Sequence, residues 1–257
     1  MDYGLTGKVA VVPGATAGLG LASARALAAE GAHVVLAGRR AELAERYAAE
    51  LPSAIGVGLD LGDPEAPARL VATAVDRFGP VDVLVLNGGG PPPGTAVDMT
   101  PDGATAAVDR LLLPHVRLAS AVLPGMRERG WGRIVGIGSS GIQQPLDGLA
   151  ASNVGRAALA GYLKTLAGEV AADGVTVNLV LPGRIHTDRV VSLDEAAAQR
   201  QGKPVDEVAA AAAATIPIGR YGTPDEFGAV VAFLASGAAS YVMGAQVRCD
   251  GGLVRTH

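Results

Sequence analysis

Short apolar runs alternate along the chain with longer stretches in which alanine and leucine recur at helical spacing. The apolar runs are continuous rather than alternating, which is typical of strands buried on both faces of a sheet. The longer stretches have the spacing of amphipathic helices. The predicted strands are residues 9–12, 33–37, 55–59, 81–86, 133–137, 176–181 and 246–249. The predicted helices are residues 19–30, 40–51, 64–78, 149–172, 194–214 and 224–235, and residues 100–129 form one helix or two, bent or broken at Pro114.

Strands that alternate with helices require crossover connections, which make a sheet parallel. The pattern therefore predicts an α/β fold: a doubly wound, Rossmann-type parallel sheet of about seven strands with helices on both faces. No polar linker, tandem repeat or long low-complexity tract divides the chain. Residues 1–257 are therefore expected to form a single domain.

Composition excludes several classes of function. The chain has 257 residues with 21 Lys+Arg against 25 Asp+Glu, and this slightly acidic balance argues against a nucleic-acid partner. One cysteine, Cys249, excludes an internal disulfide framework, and four scattered histidines lack metal-ligand spacing, so we expect no metal site. Residues 227–247 are uncharged but interrupted by glycine and serine, so they predict helix, turn and strand rather than a membrane span. We expect a cytoplasmic protein without a targeting segment.

A glycine-rich turn follows the first predicted strand and opens the first predicted helix. Gly14, Gly18 and Gly20 have a G-x-x-x-G-x-G spacing. Glycines at such a turn let backbone N–H groups and a helix N-terminus approach a pyrophosphate. The turn predicts dinucleotide binding, and the alternative is that the glycines serve only tight packing.

The end of the second predicted strand indicates which dinucleotide is bound. NAD sites place an acidic residue about 20 residues after the glycine turn, but this chain has Gly38 there, followed by Arg39 and Arg40. Because guanidinium groups suit a 2′-phosphate, the sequence favours NADP over NAD. The alternative is a solvated pair of arginines at the start of a helix.

These motifs and several others resemble the short-chain dehydrogenase/reductase family, close in length and layout to the 3-oxoacyl-(acyl carrier protein) reductases. The resemblance covers nearly the whole chain. It rests on the glycine turn, Asp60-Leu61, Asn87-Gly88-Gly89, Gly132-Arg133-Ile134-Val135 leading to Ser139, Val177-Asn178, Pro182-Gly183-Arg184-Ile185-His186-Thr187 and Asp250-Gly251-Gly252.

The resemblance implies a set of cofactor-binding residues. The implied set is Gly14, Thr16, Gly18, Leu19, Gly20, Arg39, Arg40, Asp60, Leu61, Asn87, Gly88, Arg156, Pro182, Ile185 and Thr187. Within it, Asp60 and Leu61 would border the adenine, and Ile185 and Thr187 would hold the nicotinamide amide. Two positions depart from the family: Pro13 replaces the usual threonine, and residues 90–93 form a stiff Gly-Pro-Pro-Pro loop.

The family pattern fails at the catalytic end. Hydride addition to a carbonyl creates an alkoxide, which needs a proton and a stabilising donor. The family supplies Ser, Tyr and Lys with a supporting Asn, and the Tyr and Lys lie four residues apart on one helix face. Here Ser139 matches the serine, but the tyrosine position is Ser152, the lysine position is Arg156, and the asparagine falls near Leu111. We therefore expect Ser139, Ser152 and Arg156 to form an atypical catalytic group.

Other candidates are weaker. Tyr162 lies nearly three helical turns beyond Ser152, so packing explains it better than catalysis. His186 is either a surface-loop histidine or a proton donor near the nicotinamide. Residues 188–219 form either a mobile lid over an apolar ligand or a plain surface helix.

Together these features predict an NADP-dependent oxidoreductase acting on a small-molecule carbonyl, acyl or alcohol substrate, with a non-standard proton donor. The alternative is a nucleotide-binding protein of the same fold without reductase turnover, in a regulatory or scaffold role. The family habit implies a homotetramer formed through residues 100–129 and 149–172.

Overall fold

Seven parallel strands form one sheet in the computed structural model, which describes residues 2–256. The strands are Val9–Pro13 (β1), His33–Gly38 (β2), Ala54–Gly58 (β3), Val83–Leu86 (β4), Gly132–Ile137 (β5), Val175–Pro182 (β6) and Gln246–Cys249 (β7). Their order in the sheet is β3-β2-β1-β4-β5-β6-β7, and each neighbouring pair runs parallel. Strands from both ends of the chain thus join the same sheet.

Helices cover both faces of this sheet. The helices of the described chain are Gly18–Ala29 (α1), Ala41–Ala49 (α2), Ala66–Phe78 (α3), Pro101–Leu111 (α4), Leu113–Glu128 (α5), Ala150–Val170 (α6), Asp188–Gln201 (α7), Val205–Ala214 (α8) and Pro224–Ala235 (α9). One apolar core packs α3, α5 and α6 against the sheet, and a second packs α1 and α9 against the opposite face. The predicted doubly wound parallel fold is confirmed.

One helix prediction needs correction. Residues 194–214 were expected to form one helix, but α7 begins at Asp188 and ends at Gln201, and α8 begins at Val205. Gly202 ends α7 in the left-handed region at φ +64°, and Pro204 cannot continue a helix because it has no backbone N–H. Of the two alternatives for residues 100–129, the structure has two helices, with the break at Leu112 and Pro114 in the first turn of α5.

Residues 227–247 divide into the remainder of α9, a short 3₁₀ turn at Gly237–Ala239 and the start of β7. Within residues 2–256, no helix combines the length and the apolar character needed to cross a bilayer.

The sheet order creates a crevice between β1 and β4. After β1 the chain moves to one side through β2 and β3, then returns to add β4 through β7 on the other side. The loops that leave β1 and β4 therefore diverge, and ligands of open α/β sheets bind at such switch points, beyond the carboxyl ends of the strands.

Candidate active site

A cavity of about 720 Å³ occupies this crevice. Its walls come from the loops that follow β1 to β6 and from residues of α6 and α7. Every residue that the sequence predicts for cofactor binding or catalysis lines it: Gly14, Thr16, Gly18, Leu19, Gly20, Arg39, Arg40, Asp60, Leu61, Asn87, Gly88, Ser139, Ser152, Arg156, Pro182, Ile185 and Thr187. The fold therefore brings together positions that are up to 173 residues apart in sequence.

The glycine turn is too tight for any side chain at two of its positions. A Cβ at Gly20 would lie 2.3 Å from the carbonyl oxygen of Gly14, and a Cβ at Gly14, where φ is +64°, would lie 2.6 Å from Asn87 Nδ2. The same Asn87 amide donates to the carbonyls of Pro13 and Gly14, both at 3.1 Å. Asn87 thus ties the loop after β4 to the turn, and Pro13 takes part only through its carbonyl.

The first helix leaves its N-terminal N–H groups available. Ala17 is the residue before α1 and provides no side-chain cap. The first N–H groups of a helix have no partner within the helix and carry a partial positive charge, so they suit an anionic phosphate. A shallow backbone cradle with free N–H groups matches a dinucleotide pyrophosphate.

The end of β2 has no room for an acidic side chain. A Cβ at Gly38 would lie 2.7 Å from Thr16 Cγ2. Arg40 reaches back over the glycine turn and donates from Nη2 to the Thr16 carbonyl at 2.8 Å. Arg39 is exposed, lines the cavity and makes no hydrogen bond or ion pair to any described residue. Arg39 is therefore the guanidinium that is free to contact a ligand.

Two serine hydroxyls face the far end of the cavity. Ser139 follows β5, and its Oγ accepts a hydrogen bond from the Gly141 N–H at 3.0 Å. Ser152 lies in the first turn of α6, one turn before Arg156 and on the same face. Within residues 2–256, neither hydroxyl donates to a protein acceptor. Both hydroxyl protons can therefore be directed at a ligand.

Arg156 is a buried cation without a counter-charge. Its side chain is 8% exposed, and its Nη1 donates to the Ile137 carbonyl. No carboxylate of the described chain lies within ion-pair distance of it. Burial lowers the pKa of the guanidinium to about 10, so it stays charged at neutral pH.

Close to Gly88 and Arg156 lies a histidine that the sequence did not single out. His115 is fully buried in α5, and its Nε2 lies 3.9 Å from the position a Cβ would take at Gly88, directly below the cavity. Neither ring nitrogen has a hydrogen-bond partner. Burial, assisted by the charge of Arg156, lowers the pKa of His115 to about 3, so the imidazole is neutral near pH 7. Nothing in its sequence context, which lacks metal-ligand or catalytic spacing, marks this position.

This buried histidine predicts acid sensitivity. Its folded-state pKa is depressed, so below the usual value of 6.5 the unfolded chain binds a proton that the folded chain does not. Stability should therefore fall by up to about 1.4 kcal/mol per pH unit as the pH drops from 6 to 4. Urea unfolding of the native chain and His115→Leu across this range should show a flatter slope for the variant. The exposed His186→Gln is the matched control, and equal slopes in all three would contradict the expectation.

Three other sequence candidates are placed by the structure. Leu111 is fully buried, and its Cδ1 lies 2.7 Å from where a Cβ at Gly155 would be, so this position supplies no polar group. Tyr162 lies on α6, packs against the core and does not line the cavity. His186 is exposed and does not line the cavity. Its backbone N–H donates to the Gly222 carbonyl at 2.9 Å.

One end of the cavity is roofed by α7. Arg189 donates from Nη2 to the Pro91 carbonyl at 3.0 Å and so bridges α7 to the proline loop after β4. The middle of α7 is fixed by a buried carboxylate, Asp194, which accepts from Arg184 at 2.5 Å and from the Tyr221 hydroxyl at 2.9 Å. Residues of α7 line the cavity, whereas no residue of α8 does. Of the residues predicted as lid or surface helix, only those of α7 lie where a lid would be, and the sequence missed Arg189.

Within residues 2–256, no group of three or more His, Cys, Asp or Glu side chains is arranged to hold a metal ion. The fold and the cavity together are typical of dinucleotide-binding α/β proteins, and the comparisons with known proteins make this class specific.

The family model described as enoyl-(acyl carrier protein) reductase matches residues 14–254. "Dehydrogenase/reductase SDR family member 4" of Oryctolagus cuniculus is 36% identical over 253 residues, covering 96% of this chain and 94% of that protein. The 3-oxoacyl-(acyl-carrier-protein) reductase of Vibrio cholerae is 35% identical over 250 residues, covering 97% and 98%.

Solved structures agree with these relatives. The structure of L-sorbose reductase from Gluconobacter frateurii, complexed with NADPH and L-sorbose, superposes with a TM-score of 0.94 at 33% identity over 100% of both chains. A variant of actinorhodin polyketide ketoreductase with NADPH gives 0.91 at 35% identity, covering 96% of this chain and 97% of that one. This chain belongs to the short-chain dehydrogenase/reductase family. The predicted class, a short-chain oxidoreductase, is confirmed.

Proposed function

We propose that the protein is an NADP-dependent reductase of carbonyl substrates with a non-standard proton-donor site. One observation carries the proposal: a single cavity runs from the glycine turn and the free Arg39 to the wall formed by Ser139, Ser152 and Arg156. The NADPH complexes of the L-sorbose and actinorhodin reductases, both above 30% identical, support this choice of cofactor.

The chain offers a partner for each part of NADP. The glycine turn and the start of α1 suit the pyrophosphate, and Arg39 suits the 2′-phosphate, with Arg40 holding the turn. Asp60 and Leu61 border the adenine, while Asn87 and Gly88 line the path between the two ends. Ile185 and Thr187 would hold the nicotinamide amide, with Pro182 also in this lining, and Arg156 would meet the ribose. When bound, the reduced cofactor supplies a hydride.

The catalytic wall orients a carbonyl and stabilises negative charge on its oxygen. Ser139 and Ser152 donate hydrogen bonds to this oxygen, and the charge of Arg156 favours an anion there. A serine hydroxyl is a much weaker acid than a phenol, and a guanidinium does not release its proton near neutral pH. We therefore assign the proton to solvent water that reaches the substrate beside Ser152. Losing a positioned acid costs about 10²–10⁴ in rate, so simple ketones are expected to react slowly.

A second candidate is a nucleotide-binding protein without reductase turnover. It is favoured by the loss of three family groups at once, the phenol, the ammonium and the amide, at Ser152, Arg156 and Leu111. Such a protein would keep the cofactor half of the cavity and use it for regulation or as a scaffold.

Consumption of NADPH distinguishes these two candidates. The purified protein is mixed with NADPH and a panel of aldehydes, ketones and diketones, and absorbance of the reduced cofactor is followed beside a binding titration. Turnover of any carbonyl above the rate of the Ser139→Ala variant supports the reductase. Tight NADPH binding without turnover on any member of the panel would establish the binding protein instead.

The assembly and cellular location belong to the same proposal. By family habit, four copies associate through α4, α5 and α6, and the protein acts in the cytoplasm on small molecules.

A further inference from the structure

The catalytic wall has the donors of an anion site but no acid. Ser139 and Ser152 have hydroxyl protons with no acceptor in the described chain, and Arg156 is a buried cation whose one described acceptor is a neutral carbonyl. A buried charge is costly unless it is paired. Such a wall should bind most tightly a ligand that brings a negatively charged oxygen to these three side chains.

The surrounding charges leave this cation uncompensated. His115, the titratable group below Arg156, is neutral, so it neither offsets nor adds to the charge. Arg39, Arg40 and Arg189 add positive charge along the cavity, and the acidic lining residues, Asp60 and Asp188, are exposed to solvent. These charges therefore make the electrostatic potential at the serine hydroxyls positive.

Apolar side chains line the cavity together with these donors. They are Ile137 at the end of β5, Leu146 and Leu149 before α6, and Val190 and Leu193 from α7. Because residue 152 is serine, no phenol ring occupies the space beside these side chains. An apolar wall with a few convergent polar donors is typical of small-molecule sites, and this one suits a planar ring that carries oxygen.

We propose that Ser139, Ser152 and Arg156 form an oxyanion-binding site for delocalised oxyanions, phenolates and enolates, and that the substrates are conjugated carbonyls of the quinone class. This inference rests on the proposed function for its substrate class, but the anion site itself does not depend on turnover.

Basicity decides which carbonyls suit a site without an acid. An alkoxide is about as basic as hydroxide, whose conjugate acid, water, has a pKa of about 15.7. It therefore has to be protonated as it forms. A phenol has a pKa of about 10, so a phenolate persists long enough to be protonated by solvent and needs only to be stabilised. Two hydroxyl donors and a fixed cation do this without transferring a proton.

The reaction then balances without an additional catalyst. A C–H bond of the reduced nicotinamide breaks, and its hydride forms an O–H bond at one quinone oxygen. The π electrons shift through the ring to the second oxygen, which gives the hydroquinone monoanion and the oxidised nicotinamide. One proton from water completes the hydroquinone and leaves hydroxide in solvent. The wall holds the monoanion between these two events.

Binding of 4-nitrophenol tests the anion site without any turnover. Its ionised form absorbs visible light, so titration with pH reports the pKa of the bound phenol directly. The bound pKa is expected to fall by at least about one unit, a tenfold preference for the phenolate. Arg156→Met should abolish the shift and Arg156→Lys should retain part of it, which separates charge from folding. Thr165→Val, an exposed position on the same helix, is the matched control. Absence of binding, or a bound pKa that is unchanged or raised, would overturn the anion site.

A pair of substrates tests the substrate class. Reduction of 1,4-naphthoquinone is compared with that of 1-tetralone, a ketone of similar size, in the native chain and in Ser152→Tyr/Arg156→Lys. The ratio of kcat/KM for the quinone to kcat/KM for the ketone should exceed one in the native chain and should fall at least tenfold in the double variant. The intrinsic reactivity of the two compounds is the same in both proteins, so it does not affect this change. An unchanged ratio would overturn the quinone assignment. A lowered phenol pKa without reduction of either compound would refute the proposed reductase while the anion site stands.

Discussion

Replacing Ser152 by tyrosine and Arg156 by lysine together should raise kcat/KM for a simple ketone by about 10²–10⁴, the usual contribution of a positioned acid. The two positions lie one turn apart on α6, and both line the cavity with Ser139. A tyrosine at 152 would extend into the space between Leu149 and the serine wall. A lysine at 156 would keep the positive charge that lowers the pKa of a neighbouring phenol.

The gain is measured as ketone-dependent NADPH oxidation, with each single variant run beside the double variant. Ser152→Tyr alone should gain less, because the guanidinium of Arg156 donates to the Ile137 carbonyl and is not free to follow the phenol. Arg156→Lys alone should gain nothing, since no acid is present. If the double variant binds NADPH normally but shows no gain, the rest of the pocket has diverged along with these two residues.

Exchanging Arg39 for aspartate should shift the preference for NADP over NAD by about 100-fold toward NAD. Arg39 lines the cavity and has no protein partner to hold it elsewhere. The substitution replaces an attractive charge with a repulsive one beside the 2′-phosphate, and a carboxylate can accept hydrogen bonds from the ribose hydroxyls of NAD. Placing the aspartate at residue 38 instead would force a contact with Thr16, because a Cβ there lies 2.7 Å from Thr16 Cγ2.

Titration with both cofactors at two salt concentrations checks this expectation. Loss of a phosphate contact should weaken the salt dependence of NADP binding, because exposed charges are screened by salt. Arg46→Asp is the matched control, since Arg46 is exposed on α2, does not line the cavity and carries the same change of charge. An unaltered NADP-to-NAD ratio in Arg39→Asp would reject the assignment of the phosphate to this residue.

Local sequence signals predicted most of the sheet. The run from Val9 to Val12 is apolar at every position, and all of its side chains are buried in β1. The glycine spacing after it predicted a tight turn. In the structure, neighbouring atoms leave no room for a Cβ at Gly14 or Gly20. These signals succeed because a buried parallel strand and a close backbone turn each restrict residue types within a few positions.

Signals that depend on distant contacts were missed. His115 has apolar neighbours in sequence, and its importance follows from Gly88 and Arg156, which approach it only in the folded chain. Arg189 was hidden because its partner is a carbonyl 98 residues earlier. The division of α7 from α8 was visible in Gly202 and Pro204, but the alanine-rich periodicity on either side outweighed it.

Three consecutive prolines stiffen one rim of the cavity, and a single hydrogen bond from Arg189 fastens the opposite rim to it. Proline fixes its own φ, so the proline rim has little freedom to swing. Release of a bound dinucleotide past this end of the cavity would therefore require α7 to move, because the proline loop cannot. Breaking the contact between Arg189 and Pro91 would then be part of cofactor exchange, a conformational step separate from the chemistry.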